Sequence, residues 1–291
     1  MTGKLCEGKI PVTGGKVWYR IFGPEKTGTP LLVLHGGPGI PHDYLLPLAK
    51  LADERPVIFY DQLGCGNSGP VPDESLLTVE RFAEELAQVQ NALGLDTFHI
   101  LGQSWGSMLA VEYMLRKRPA GVQRLILSGP CLAASRWNAD QRQYVSELPK
   151  ETRDIILRHE TTGDFESPEY QDAMMAYYRL HICRMDPWPD CLMRSMERFA
   201  IPVYRYMWGP SEFTCTGTLG SFDVTARLRE ITVPVLFTCG RYDEATPAST
   251  AYYQKMLPGS QIAVFEDASH AHHLEKEDEF LAVVRTFLRG A

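Results

Sequence analysis

The sequence lacks any apolar run that approaches the roughly 18 residues needed to cross a bilayer. It begins with a polar segment, MTGKLCEGK, which has no apolar core of the kind found in signal peptides. We therefore expect a cytoplasmic protein that does not act on a membrane.

Long basic clusters are also missing. The longest basic run is the Arg-Lys-Arg at 116–118, and the net charge of the chain is −7. A run this short cannot follow a phosphate backbone, so we do not expect nucleic acid as a partner.

The seven cysteines include no CxxC pair and no Cys/His spacing typical of a zinc site. Because their number is odd, we interpret them as reduced thiols, and we expect neither a metal nor another cofactor. With 291 residues, of which 44% are apolar, the chain can bury a large core without such supports.

Short apolar runs alternate with amphipathic stretches, as in the βα units of a parallel sheet. Strands are predicted at 31–35, 57–61, 98–102, 124–128, 234–239 and 261–265, and helices at 78–93, 105–115, 248–256 and 277–288. In the first helix, apolar residues recur at helical spacing behind Thr78, a predicted N-cap.

Residues 131–225 interrupt this alternation with helical periodicity, several prolines, and many aromatic and methionine side chains. We predict an inserted helical cap over a core formed by residues 1–130 and 226–291. The aromatic residues of this segment either line a pocket or form the core of the cap, and we favour the second for most of them: Trp188, Tyr204, Tyr206, Trp208 and Phe213.

The motif with the clearest chemical meaning is GQSWG at 102–106, which matches GxSxG between a predicted strand and a predicted helix. Glycines at both ends allow a sharp turn that exposes the hydroxyl of Ser104. A serine in an ordinary glycine-rich turn is the alternative. The strand-turn-helix context favours a nucleophile.

A serine nucleophile needs a base, and the base needs an orienting carboxylate. Asp243 and His270 each follow a later predicted strand, in the order Ser, Asp, His that is typical of the α/β-hydrolase fold. Among three neighbouring histidines we favour His270 as the base, and we expect His272 and His273 to pack or to face solvent.

Two other acidic residues, Glu266 and Asp267, lie too close to His270 in sequence to reach it easily, so Asp243 is preferred as the acid. The loop HGGPG at 35–39 resembles those that donate a backbone N–H to an oxyanion hole. We predict Gly37 and Trp105 as the two donors. The segment 61–68, DQLGCGNS, is interpreted as a structural turn beside the site.

Together, HGGPG, DQLGCGNS, GQSWGS and GRYDEATP resemble the proline iminopeptidase family of serine peptidases, and in particular its tricorn-interacting aminopeptidase branch. The resemblance extends over nearly the whole chain and implies an α/β-hydrolase fold: a mostly parallel sheet flanked by helices, with an inserted helical cap. It also implies release of an N-terminal residue, often proline, from short peptides, or cleavage of amino-acid amides. Gln103 stands where the family often has glycine.

In this family, acidic residues hold the ammonium group of the substrate, and the matching positions are Glu212 and Glu244, with Tyr204 as a further substrate-binding residue. Such carboxylates would place the first peptide bond over Ser104. From the residues alone, Glu212 fits a solvated surface position equally well, and Glu244 could serve only to tune Asp243.

Two other functions remain open. One is an esterase or lactonase acting on a non-peptide metabolite, because the same triad performs any acyl transfer. The other is a ligand receptor that has lost turnover, which the presence of all three triad residues disfavours. Dehalogenase and epoxide hydrolase chemistry is disfavoured because the relevant enzymes resemble one another in having Asp at the position of Ser104.

Overall fold

The computed structural model describes residues 6–290. Its centre is an eight-stranded sheet in the order β1-β2-β4-β3-β5-β6-β7-β8, in which β3 to β8 run parallel and β1 and β2 are antiparallel to their neighbours. The strands are β1 Cys6–Val12, β2 Gly15–Phe22, β3 Leu31–Leu34, β4 Val57–Asp61, β5 Phe98–Gln103, β6 Val122–Ser128, β7 Val235–Gly240 and β8 Gln261–Phe265.

The six predicted strands correspond to β3 to β8, with bounds that differ by at most two residues. Sequence reasoning missed the hairpin formed by β1 and β2. β1 is an edge strand of the sheet and β2 is its neighbour. Both are only partly buried, so they lack the continuous apolar runs that mark the central strands.

The helices are α1 Val79–Ala92, α2 Trp105–Lys117, α3 Ala134–Glu147, α4 Lys150–Thr162, α5 Pro168–His181, α6 Asp190–Glu197, α7 Ile201–Met207, α8 Pro247–Met256, α9 His272–Glu275 and α10 Glu277–Arg289. The four predicted helices are α1, α2, α8 and α10. Thr78 caps α1 as expected, because its hydroxyl accepts a hydrogen bond from the Arg81 N–H at 3.2 Å.

Successive side chains of each central strand point to opposite faces of the sheet, and each face is covered by helices. Leu32 and Leu34 of β3 pack into the cluster that contains α1 and α2. Leu31 and Val33 pack into the cluster that contains α10. Both faces are therefore apolar, which explains why these strands appear as unbroken apolar runs.

The inserted helical region lies between β6 and β7 and contains α3 to α7. It has a small core of its own, to which Val145, Ile156, Tyr177 and Phe213 belong. The region confirms the predicted helical insertion in the α/β-hydrolase fold, and the exact boundaries 131–225 stay a prediction.

Three strands of the parallel part of the sheet, β5, β7 and β8, lead into the loops that carry the predicted site. β5 ends at Gln103, β7 at Gly240 and β8 at Phe265. Because the carboxyl ends of parallel strands share one edge, these loops lie on the same side of the sheet. No helix between residues 6 and 290 is both long and apolar enough to span a membrane.

Candidate active site

Ser104 occupies a sharp turn between β5 and α2, with φ 55° and ψ −124°. Its backbone N–H donates a hydrogen bond to the Ser128 carbonyl at 2.8 Å. A Cβ on Gly102 would lie 2.2 Å from the Gly106 carbonyl oxygen, and one on Gly106 would lie 2.3 Å from the Leu34 carbonyl oxygen. The strand and helix therefore approach so closely that only glycine fits at both ends of the motif.

The structure brings Asp243 and His270 together. His270 Nδ1–H donates to Asp243 Oδ1 at 2.7 Å, and this buried oxygen also accepts from the Ala245 N–H at 2.7 Å. The second oxygen, Oδ2, accepts from the Gly240 N–H at 3.2 Å. This arrangement leaves Nε2 of His270 free of the aspartate, as a general base requires.

The charges of this pair shift both pKa values. Burial alone would raise the pKa of Asp243, but the imidazoles of His270 and, after it, His272 outweigh burial and hold that pKa below its ordinary value. Burial alone would lower the pKa of His270, but Asp243 outweighs that effect and raises it. The pair is therefore built to stabilise an imidazolium.

Of the three neighbouring histidines, His270 hydrogen-bonds Asp243 at 2.7 Å, and Nδ1 of His272 lies 3.5 Å from Oδ2 of the same carboxylate. His272 is fully buried, and its Nε2 lies 3.0 Å from the hydroxyls of both Ser128 and Thr238. His273 is also buried, and its Nε2 donates to the Tyr44 carbonyl at 3.2 Å. Both extra histidines thus pack within the fold rather than face solvent.

The alternative acids point away from this pair. Glu266 is exposed and forms an ion pair with Arg241, and the side chain of Asp267 is 82% exposed. Neither carboxylate contacts His270 in the described chain, and Asp243 stays the predicted acid.

Ser104 and His270 line one cavity at the carboxyl ends of the parallel strands. Within residues 6–290, no hydrogen bond joins the Ser104 hydroxyl to His270, whose Nε2 lies 3.6 Å from Oε1 of Glu244. In enzymes without a bound ligand, the hydrogen bond between the nucleophile and its base is often long, and it shortens when substrate binds.

Backbone N–H groups suited to an oxyanion hole lie beside Ser104. The Gly36 N–H is already used, since it donates to the Tyr44 hydroxyl at 2.8 Å. Gly37, the next residue, lines the cavity. Trp105 is the first residue of α2, where a backbone N–H has no acceptor within the helix. The role of Gly37 and Trp105 as donors stays a prediction.

Two carboxyl groups, Glu212 from the inserted region and Glu244 beside Asp243, line the same cavity. Glu244 is fully buried, and neither of its oxygens accepts a hydrogen bond from any residue in 6–290. The Tyr204 hydroxyl is close to Glu212 but forms no well-aligned hydrogen bond within the described chain. A buried, unpartnered carboxyl group is costly, so a ligand is expected to complete it.

Burial of these carboxyl groups raises their pKa values. The pKa of Glu212 rises to about 7, because loss of solvent outweighs the lowering effects of Tyr204 and His270. The pKa of Glu244 rises well above its ordinary value, owing to burial and then to the charges of Glu212 and Asp243. A cation placed between the two would favour their ionised forms.

The rest of the cavity wall is mainly aliphatic and comes from Ile40, Ile182, Leu192 and Met196, with the ring of Tyr44. In the described chain, none of the five aromatic residues singled out in the inserted region lines this cavity. Trp208, Tyr204 and Phe213 are instead buried, as favoured for most of them. The cavity measures about 50 Å³, which is room for a few waters or one small side chain.

The segment DQLGCGNS at 61–68 forms a turn next to the site, which hydrogen bonds to Asp61 stabilise. Asp61 accepts hydrogen bonds from the backbone N–H groups of His42, at 3.0 Å, and Asn67, at 2.8 Å. His35, Asp61 and Cys65 lie close together, but Nε2 of His35 already accepts the Gln62 N–H at 2.9 Å. These contacts fit the structural role predicted for the turn.

The α/β-hydrolase fold family matches residues 29–277, and together with the serine turn this defines the chain as a serine hydrolase of that fold. More specific relatives narrow the class. The chain is 46% identical to a proline iminopeptidase of Heyndrickxia coagulans over 98% of its own length and 99% of the relative's. A proline iminopeptidase of Lactobacillus crispatus is 40% identical, with 98% of each chain covered. The chain belongs to the proline iminopeptidase family.

Solved structures agree with this family. The crystal structure of a Mycobacterium smegmatis proline iminopeptidase superposes with a TM-score of 0.90 at 38% identity, covering 98% of both chains. The structure of VinJ gives a TM-score of 0.94 at 35% identity over the same shares. An esterase from a Rhodococcus species, at 20% identity and a TM-score of 0.69, shares the fold alone.

Proposed function

We propose that this enzyme is a serine aminopeptidase that releases an N-terminal residue, proline above all, from short peptides through an acyl-enzyme. The observation that carries the proposal is that Glu212 and Glu244 share one cavity with Ser104 and His270, and that neither oxygen of the fully buried Glu244 accepts a hydrogen bond within residues 6–290. The high identity to enzymes named proline iminopeptidases supports the choice of proline.

In the proposed reaction, Ser104 attacks the carbonyl carbon of the first peptide bond while Nε2 of His270 accepts the hydroxyl proton. The backbone N–H groups of Gly37 and Trp105 stabilise the tetrahedral oxyanion. His270 then returns the proton to the leaving amine, which departs as the shortened peptide. Water, activated by the same imidazole, hydrolyses the acyl-enzyme and frees Ser104.

The carboxyl pair gives a physical reason for acting at a free N-terminus. A substrate ammonium is the cation that Glu212 and Glu244 lack, and the Tyr204 hydroxyl lies beside the same subsite. An N-terminal proline carries two N–H bonds on its ammonium nitrogen, one for each carboxylate. Its compact apolar ring suits a small aliphatic cavity.

The test is a matched panel of prolyl, alanyl and phenylalanyl arylamides, their N-acetylated forms, and a p-nitrophenyl ester. We expect rapid cleavage of the free prolyl arylamide and rejection of the acetylated form, which leaves the carboxyl groups of the cavity without a cation. Equal cleavage of blocked and free arylamides would refute amine recognition. Turnover of the ester alone would favour an esterase.

Substitution of the carboxyl pair provides a second test. Glu212→Gln and Glu244→Gln should each lower kcat/KM for the free prolyl arylamide by about 10²-fold or more, because a charge-assisted contact is lost. The same variants should change turnover of the neutral ester by only a fewfold. Glu266→Gln, which replaces an exposed carboxylate outside the cavity, is the matched control.

The finer resemblance to the tricorn-interacting aminopeptidase and amidase branch extends the proposal to amino-acid amides. Prolinamide carries the same ammonium and a smaller leaving group, so we expect it to be cleaved as well. The seven cysteines are free thiols, which is compatible with the predicted cytoplasmic location.

A further inference from the structure

Tyr44 connects three parts of the site that are distant in sequence. Its hydroxyl accepts a hydrogen bond from the Gly36 N–H at 2.8 Å, in the loop that carries Gly37. The same hydroxyl donates to Oε1 of Gln103, the residue immediately before Ser104. The side chain therefore joins the oxyanion loop to the nucleophile turn.

The direction of these hydrogen bonds follows from the donors present. The Gly36 N–H can only donate, so the Tyr44 oxygen accepts there, and its own proton must go elsewhere. Among residues 6–290, Oε1 of Gln103 is the acceptor that the hydroxyl reaches. Burial raises the pKa of Tyr44, so the hydroxyl keeps this proton at neutral pH.

The backbone of Tyr44 is anchored independently of its ring. Its N–H donates to the hydroxyl of Ser195 on α6 at 2.9 Å, and its carbonyl accepts from His273 at 3.2 Å. These contacts fix the origin of the side chain, and Tyr44 as a whole is only 5% exposed. The Tyr44 hydroxyl is thus held in place, and its hydrogen bond with the Gly36 N–H can restrain the loop that contains Gly37.

The clearance between the loop and the turn is small. A Cβ placed on Gly36 would lie 3.0 Å from Cβ of Ser104 and 2.7 Å from Oε1 of Gln103. Oxyanion donors act only when they lie close to hydrogen-bond distance from the developing charge. A displacement of the loop by about 1 Å can cost on the order of 10²-fold in rate.

We propose that Tyr44 and Gln103 are positioning residues, which hold the Gly36-Gly37 loop at the distance from Ser104 that the oxyanion hole requires. This inference rests on the proposed acyl-enzyme reaction but does not depend on the identity of the first residue. A residue without a side-chain acceptor at position 103 could not receive the Tyr44 hydroxyl, so the Gln103 side chain adds a support to the loop.

The experiment compares Tyr44→Phe, Gln103→Met and the double variant, with thermal melting to confirm folding. Tyr60→Phe is the matched control, because Tyr60 is a buried tyrosine of β4 whose hydroxyl has no hydrogen-bond partner in the described chain. Turnover is measured with both a prolyl arylamide and a p-nitrophenyl ester, so loss of peptide specificity and loss of the oxyanion geometry are distinguished.

We expect Tyr44→Phe and Gln103→Met each to lower kcat by about 10- to 100-fold on both substrates, with KM and inhibition by free proline changed less than twofold. Binding of the aldehyde analogue of proline, which forms an oxyanion with Ser104, should weaken by a similar factor. The kcat of the double variant should be no lower than that of the less active single variant, because Tyr44 and Gln103 act through one chain of hydrogen bonds.

Three results would overturn the inference. They are an unchanged kcat in both single variants, a loss confined to KM, and single losses that multiply in the double variant. A loss of arylamide turnover in Tyr60→Phe equal to that in Tyr44→Phe would also contradict it, because the effect would then follow from any buried tyrosine hydroxyl.

Discussion

Replacing Asp243 with asparagine tests the acid–base pair most directly. The groups that hydrogen-bond the carboxylate are all donors: the His270 and Ala245 N–H groups at Oδ1, both at 2.7 Å, and the Gly240 N–H at Oδ2, at 3.2 Å. Nδ1 of His272 also lies 3.5 Å from Oδ2. A carboxamide has one oxygen and one NH₂ group. Its NH₂ must therefore face a donor in either orientation.

The geometry sets the expected size of the effect. With its nitrogen toward Gly240, the amide opposes that N–H at 3.2 Å and Nδ1 of His272 at 3.5 Å, and still accepts from His270, but the charge is gone. At an effective dielectric constant of about 20, unit charges about 4 Å apart interact by about 4 kcal/mol, or about 10³-fold in rate. With its nitrogen toward His270, the imidazole is held in the wrong tautomer, and the loss approaches about 10⁴-fold.

We therefore expect Asp243→Asn to lower kcat for a prolyl arylamide by about 10³- to 10⁴-fold. Because Asp243 raises the pKa of His270, the acid limb of the pH–rate profile should move to lower pH in the variant. Asp267→Asn is the control: that carboxylate is exposed, and asparagine tolerates its positive φ of 57°. A loss below tenfold with an unmoved acid limb would refute the assignment.

Three further predictions concern stability. The pKa of Glu212 is raised to about 7 in the folded protein. The stability that its protonated carboxyl group contributes is therefore complete below pH 4.5 and is lost as pH rises through 7. Glu212→Gln should gain about 1 to 3 kcal/mol relative to the parent between pH 4.5 and 8 in denaturant titrations, and no relative gain would contradict the shift. Gly106→Ala should abolish activity and lower the melting temperature, because the new Cβ would lie 2.3 Å from the Leu34 carbonyl oxygen; an unchanged melting temperature would contradict this. Ser167→Ala should cost about 1 kcal/mol in chemical unfolding, since Ser167 caps α5 through the Tyr170 N–H, whereas a neutral result would show that cap to be dispensable.

Much of the fold follows from local patterns. The central strands are buried on both faces, and each therefore leaves an apolar run in the sequence, whereas the half-exposed hairpin of β1 and β2 leaves none. Thr78 could be predicted as a cap because its hydroxyl bonds the backbone only three residues away.

The residues of the candidate site that follow predicted strands could be predicted from the sequence. Those whose role depends on contacts between distant segments could not. Ser104, Asp243 and His270 follow strands whose ends share one edge, and that edge is implied by parallel pairing. Tyr44 had no such signal. Its role arises because a loop, a turn and a helix of the inserted region meet at its hydroxyl and backbone.

By itself the sequence determined the tight turn at Ser104 and the alternation of strands and helices, because both arise from neighbouring residues and short-range sterics. Tertiary structure alone decided that His270, among three histidines, hydrogen-bonds Asp243 at 2.7 Å and also lines the cavity with Ser104, and that Glu212 and Glu244 face that cavity. The reason is physical: burial and charge at those positions come from segments far apart in the chain, whose distance in space is set only when the inserted helices pack over the sheet.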